Sequence, residues 1–194
     1  MLIVGTDKAA VDTDLKTGRL SCPNCSGTLR PWGHSVDREV RLLSSSERRR
    51  FRRSICRSCR VTHVLIPEDT LVRRRHAVEV IGAALVAMAK GSGHRPIAVD
   101  LGIAPSTVRG WLRRFSAMAS GIRDHFVRWA HAVDPGHDDL SPGSSTVSDA
   151  VSAIGVLGIV AVRRFGPRPV WSLASVVTGG GLMCNTSSPW AAPV

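Results

Sequence analysis

Four of the five cysteines fall into two Cys-x-x-Cys pairs, Cys22 with Cys25 and Cys56 with Cys59, with 30 residues between the pairs. Two residues between thiolates let one tight turn aim both sulfurs at a single metal ion, and amide hydrogens in such turns stabilise the charge on sulfur. Two such turns complete a tetrahedral site with no open position, so the spacing predicts one structural zinc ion held by Cys22, Cys25, Cys56 and Cys59. Pro23 and Gly27 supply turn residues at the first pair. Competing readings are free thiols, a disulfide and a redox Cys-x-x-Cys, and the last lacks the surrounding alternation of strand and helix. His34 and His63 lie near the pairs as substitute ligands. Cys184 stands alone and reads as a small buried residue.

A segment of about 45 residues around these pairs buries little apolar surface. Structural zinc supplies an apparent ~10–16 kcal/mol, against a typical domain stability of ~5–15 kcal/mol, so the metal decides whether this part folds. Strand-like pieces at Thr28–Arg30, Val36–Leu43, Phe51–Ile55 and Val61–Ile66, separated by Pro, Gly and Ser, predict a small antiparallel ribbon. Before it, Thr6 is placed to cap a helix from Asp7 to Lys16, stopped by Gly18. Beyond Pro67 the apolar spacing becomes helical, with Val78, Ile81, Leu85 and Met88 on one face of a helix expected from Thr70 to Lys90.

Next comes HRPIAVDLGIAPSTVRGWLRRF, residues 94–115, which fits a helix-turn-helix at its constrained positions. Ala98 is small where two helices would touch, Gly102 falls where the turn needs a positive backbone angle, and Pro105 fits a first helical position. Ile97, Leu101, Ile103, Val108, Trp111 and Leu112 supply inner faces. Ser106, Thr107, Arg109, Gly110 and Arg113 are left outside. On that reading Ser106, Thr107 and Arg109 contact bases or phosphates, and Arg113 and Arg114 hold backbone phosphates. The competing reading is an ordinary helical hairpin with a basic exterior.

The formal charge is +11, carried mostly by arginine, since lysine occurs only at Lys8, Lys16 and Lys90. Residues 1–60 carry +7, residues 61–129 carry +5 and residues 130–194 carry −1. An anionic partner is therefore expected on the first two thirds, with Arg49, Arg50, Arg52, Arg53 and Arg95 as further candidate phosphate contacts, although a solvated basic face gives the same totals. Arg73, Arg74 and Arg75 are expected at a helix start, where their charge opposes the dipole.

Met1–Val4 is too short for the apolar core of a signal peptide, so a cytoplasmic, nucleoid-associated protein is expected. The apolar stretch Ala150–Val162 is shorter than the roughly 20 residues a bilayer crossing needs and predicts a buried helix; a membrane hairpin with Val170–Met183 is the weaker alternative. The expected class is thus α+β: an N-terminal strand/helix lid (1–19), a zinc ribbon (20–68), a helix-turn-helix domain (69–133), a linker (134–145) and an apolar, helical C-terminal interaction region (146–194). This last region is read as a dimer interface, a docking site for another protein, or a cover over the central helices.

CPNCSGTLRPWG, then SICRSCRVTHVLIP, then the helix-turn-helix resemble the N-terminal DNA-binding regions of bacterial insertion-sequence transposases, over residues 20–116. The whole chain, including its NTSSPW ending, is similar to a bacterial family of unknown function often encoded beside integrase-like transposases. The resemblance implies a zinc ribbon on the four cysteines, a recognition helix at Ser106–Arg114, double-stranded DNA as partner, and a transposase or integrase as a candidate second partner. Here the chain departs from transposases: after Glu79 it has no glutamate, and beyond residue 129 its acidic residues are Asp134, Asp138, Asp139 and Asp149, in or beside the linker. A metal-dependent nuclease needs carboxylates brought together by a folded core, so no catalytic residues and no enzyme activity are expected. The function expected is a DNA-binding accessory or regulatory protein of a mobile element. The alternatives are a regulator of an unrelated operon, the DNA-binding subunit of a split transposase, or a zinc-dependent adaptor for an acidic protein.

Overall fold

In the computed structural model, residues 1–137, 141 and 143–183 are described, and the architecture is mixed α+β. Cys184, the NTSSPW ending and part of the expected linker lie outside the described residues. The chain runs β1 (Leu2–Val4), α1 (Lys8–Lys16), β2 (Leu29–His34), β3 (Arg38–Arg41), β4 (Ser46–Arg49), β5 (Arg52–Cys56), β6 (Thr62–Pro67), α2 (Val78–Ala89), α3 (His94–Leu101), α4 (Pro105–Val133), α5 (Thr146–Phe165) and α6 (Val170–Val177).

One sheet has the order β1-β6-β5-β2; β3 and β4 form a separate hairpin. The pairs β2/β5 and β5/β6 are antiparallel, as the sequence predicts, but β1 joins β6 in parallel, Leu2 opposite Leu65. A parallel neighbour needs a long crossover, and here everything from α1 to β5 supplies it. Asp7, not Thr6, caps α1: its carboxylate accepts from the Ala9 and Ala10 amides. Val11 and Leu15 of α1 then cover Leu29, Cys22, Cys56 and Leu65 in a small core of their own.

The β3–β4 hairpin belongs to the other, larger core, into which it sends Val40, followed by Phe51. The run Arg48–Arg50 is divided: Arg48 and Arg49 end β4, and Arg50 leads into β5. Strand β3 also continues into the following segment, Arg41 N–H donating to the Arg75 carbonyl and Ala77 N–H to the Arg41 carbonyl, at 2.8 Å each. That pairing holds residues 70–77 out of helix. Helix α2 therefore starts at Val78 rather than Thr70, and Arg73–Arg75 precede it instead of opposing its dipole; Arg73 adopts φ 59°, and Arg74 donates to the Met183 carbonyl.

Helix α4 is a single 29-residue rod, about 43 Å long at the usual rise. Its buried face, Val108, Trp111, Leu112, Phe115, Ala119, Ile122, Phe126 and Ala130, holds one helical register throughout, so nothing breaks the helix after Phe115. Helix α5 lies along it in the most extensive helix–helix contact of the fold, burying Ala150, Ala153, Ile154, Leu157, Val160 and Ala161. At 20 residues α5 is long and apolar enough to cross a membrane by length and composition, because Ser145 caps a polar first turn ahead of the apolar run; in this fold its apolar side meets α4. Residues 170–177 form α6, whose Trp171 ring lies against Gly82 of α2: a Cβ there would stand 2.3 Å from it. Residues 146–183 thus complete the core of α2–α4.

Candidate metal centre

The four cysteine sulfurs all lie within 4.8 Å of one another. Sγ of Cys22 is 3.7 Å from that of Cys59, and Cys25 is 3.5 Å from Cys56. Four sulfurs at ~2.3 Å from a common ion stand ~3.8 Å apart at the corners of a tetrahedron, so the arrangement matches what an ion such as zinc requires.

Two equivalent turns build it. After Cys22 the chain closes through Ser26 N–H to the Cys22 carbonyl (2.8 Å) and Cys22 N–H to the Gly27 carbonyl (2.7 Å); after Cys56, Cys56 N–H donates to the Val61 carbonyl (3.0 Å). Each turn has a left-handed residue four places after its first cysteine, Ser26 (φ 58°) and Arg60 (φ 61°). Gly27 sits where the turns meet: a Cβ would stand 2.5 Å from the Ser58 hydroxyl and 3.1 Å from Cys56 Sγ. Asn24 N–H points at Cys22 Sγ, 3.4 Å away.

The same amides set the sulfur acidities. The backbone N–H groups of Cys59 and then Ser58 bring Cys56 down to about 6 against the opposing effect of burial, and the Val61 N–H lowers Cys59. At Cys25 the Gly27 N–H also lowers, but hydrogen bonds with the Cys59 and Cys56 sulfurs outweigh it and push the thiol up to about 11. Sulfurs this close cannot all ionise by themselves; a dication at the centre removes the conflict, and the amides then serve the thiolates.

Neither histidine joins the cluster. His63 is a neighbour: its ring is buried, with Nε2 3.3 Å from Cys22 Sγ and Nδ1 3.3 Å from the Met1 amino group. Burial and then the Met1 charge hold it below its ordinary range; a neutral ring that accepts from Met1 at Nδ1 carries its hydrogen on Nε2, facing the sulfur. The sequence placed His63 near the pairs as a substitute ligand; its position beside Cys22 requires β6 to lie next to the first cysteine turn. His34 instead pairs with Arg52, Nε2 to Nη1 at 3.3 Å.

The expected recognition segment consists of α3, residues 102–104, and the start of α4. Gly102 is left-handed (φ 59°, ψ 39°) with its N–H on the Ala98 and Val99 carbonyls, and Arg41 of the hairpin donates to the Leu101 carbonyl at 3.3 Å. Ile97, Ala98, Ile103, Val108, Trp111 and Leu112 are buried. Ser106, Arg109, Arg113 and, on α3, Arg95 are exposed, while Thr107 and Arg114 are half-buried. Among the described residues none of these arginines is ion-paired.

The second arginine group is engaged differently. Arg49 is tied to Asp69 (2.6 Å), Thr70 and Glu47, which raise its basicity against burial. Arg52 binds Asp12 on α1 at 2.7 Å, and Arg50 is exposed, 3.8 Å from Asp37. Arg49 and Arg52 thus tie elements together through carboxylates.

Residues 22–111 match the model of a family described as Domain of unknown function (DUF6431). The match begins at the first cysteine of the cluster and ends at Trp111 in α4, leaving α5 and α6 outside it. Neither a curated protein nor a solved structure matches the chain.

Proposed function

We propose that this chain binds double-stranded DNA, with zinc on Cys22, Cys25, Cys56 and Cys59 fixing a ribbon module and with α3 and α4 acting as a helix-turn-helix. The observation that carries the reading is the start of α4: Ser106, Arg109 and Arg113 face solvent without carboxylate partners, while Val108, Trp111 and Leu112 on the opposite side are locked in the core. A helix held rigidly by one face and presenting unpaired arginines on the other suits entry into a major groove. Zinc adds folding free energy and no reaction chemistry, since a four-thiolate site is closed. A role as accessory or regulatory protein of a mobile element is supported by the resemblance of the cysteine motifs and this segment to transposase N-terminal regions.

The test is a titration of labelled duplexes at several salt concentrations, using a site selected from random sequence. Arg109→Ala should weaken the selected site by ~1–3 kcal/mol and random DNA much less, whereas Arg113→Ala should weaken both and lower the salt slope by about one. Equal loss on both DNAs for Arg109→Ala would remove it from base reading, and salt-independent or absent duplex binding by the wild type would remove the function. Mapping of chromosomal binding would then tell element ends from unrelated promoters.

A further inference from the structure

The four-stranded sheet has two unlike faces. One carries Leu29, Ser54, Cys56, His63 and Leu65, all buried, with α1 packed over its leucines and Cys56. On the other, strand alternation places Arg30 and Trp32 of β2 together, and the register Arg30 opposite Ile55 and Pro31 opposite Ser54 brings Arg53 of β5 to the same side. Trp32 is 48% exposed, which is unusual for so large an apolar ring and leaves its surface open to a flat partner. The Arg30 guanidinium carbon stands 6.0 Å from the ring centroid.

Neither Arg30 nor Arg53 has a carboxylate partner among the described residues, and the Nε of each is covered without an acceptor. The lack of a carboxylate sets them apart from Arg49 and Arg52, which pair with Asp69 and Asp12. The chain also bends beside the ring: pairing of β2 with β5 shifts between Pro31 and His34, with Gly33 at φ 85°, and such irregularities aim side chains at sites. Because β2 is an edge strand, the platform opens onto solvent along one side. An exposed aromatic ring sharing a sheet face with two guanidinium groups that lack carboxylate partners suits a base and its adjoining phosphates.

We propose that Arg30, Trp32 and Arg53 form a stacking platform for an unpaired base of single-stranded DNA. Base–aromatic stacking tolerates any sequence, and the arginines hold the phosphates on either side. The platform is separate from the face of α4 assigned to duplex DNA; the choice of DNA over RNA rests on that assignment. A protein with both surfaces engages a junction where duplex gives way to an unpaired strand.

The zinc-loaded full chain is titrated with oligodeoxythymidylate of about 12 nucleotides, following tryptophan emission and, independently, anisotropy of a labelled oligonucleotide. Wild type should bind with quenching. Trp32→Ala should weaken binding roughly ten- to a hundredfold, and Arg30→Gln and Arg53→Gln should each reduce the salt slope by about 0.7. Zinc content and helical signal should not change in these variants, since the side chains lie off both cores. Arg109→Ala should leave oligothymidylate binding unchanged, and absence of duplex binding by the wild type would fault the α4 reading while sparing the platform. Unchanged oligothymidylate binding in Trp32→Ala would overturn the proposal, as would tighter binding of oligouridylate or equal binding of oligoglutamate.

Discussion

Gly27 shows how narrowly single residues constrain the metal centre. Both cysteine turns use a left-handed residue at the same place, but only at Gly27 do the turns come within a methyl group of each other. Gly27→Ala should therefore weaken zinc retention, read as faster transfer of zinc to a competing chelator, by roughly the ten- to hundredfold typical of disturbed ligand surroundings. Cys56→Ser combined with Cys59→Ser should abolish zinc in elemental analysis and loosen the sheet while α2–α6 stay folded, because the large core contains no cysteine ligand. Full zinc content in that double variant would exclude the four-sulfur centre. At the same scale, His63 reaches Cys22 from β6; His63→Phe, which keeps the ring but removes the N–H, should release zinc faster than His63→Gln.

Among the elements, α2 and α6 meet so closely that Gly82 has no room for a side chain. In an isolated helix alanine would be favoured over glycine by about 1 kcal/mol. Here the Trp171 ring has to move, and overpacking costs about 1–3 kcal/mol, so Gly82→Ala should lower the melting temperature; a rise would show that α6 shifts freely. The hairpin packs on the helical part of the fold through Val40 in the large core and Arg41 at the end of α3. That contact was not legible in the sequence, where Arg49, Arg50, Arg52 and Arg53 read alike as candidate phosphate contacts; that Arg49 and Arg52 pair with Asp69 and Asp12 shows only in the fold.

For the molecule as a whole, two consequences follow from the shared core. A chain ending at Pro135 loses the buried side of α5 and α6, including Ile154, Leu157, Leu173 and Trp171. At about 1.5–3 kcal/mol for each large apolar side chain, that loss is comparable with an ordinary domain stability. The truncated chain should keep its zinc but lack a cooperative helical transition on heating; a sharp transition with undiminished helix content would show α2–α4 to be self-sufficient. Acid should act on the same core. Burial, together with nearby arginine charge, depresses His76 and His125 below 6.5, although the Val177 carbonyl pulls His125 back. Histidines held neutral by the fold take up protons more readily when unfolded, so their contribution is present above pH 6.5 and is lost as pH falls through their lowered folded values. Thermal stability should drop between pH 7 and pH 5, and His125→Gln should flatten the profile.

The sequence by itself determined the cysteine cluster, the antiparallel core of the sheet, and the turn at Gly102 between two helices, because spacing, turn chemistry and periodicity are local properties of the chain. Only the tertiary structure decided the rest. The parallel addition of β1, the start of α2 at Val78, the role of His63 and the division of the arginines into ties and free charges each depend on partners far away in the chain. Which of two equal guanidinium groups remains available is settled by where Asp12 and Asp69 come to rest, and no local pattern records that.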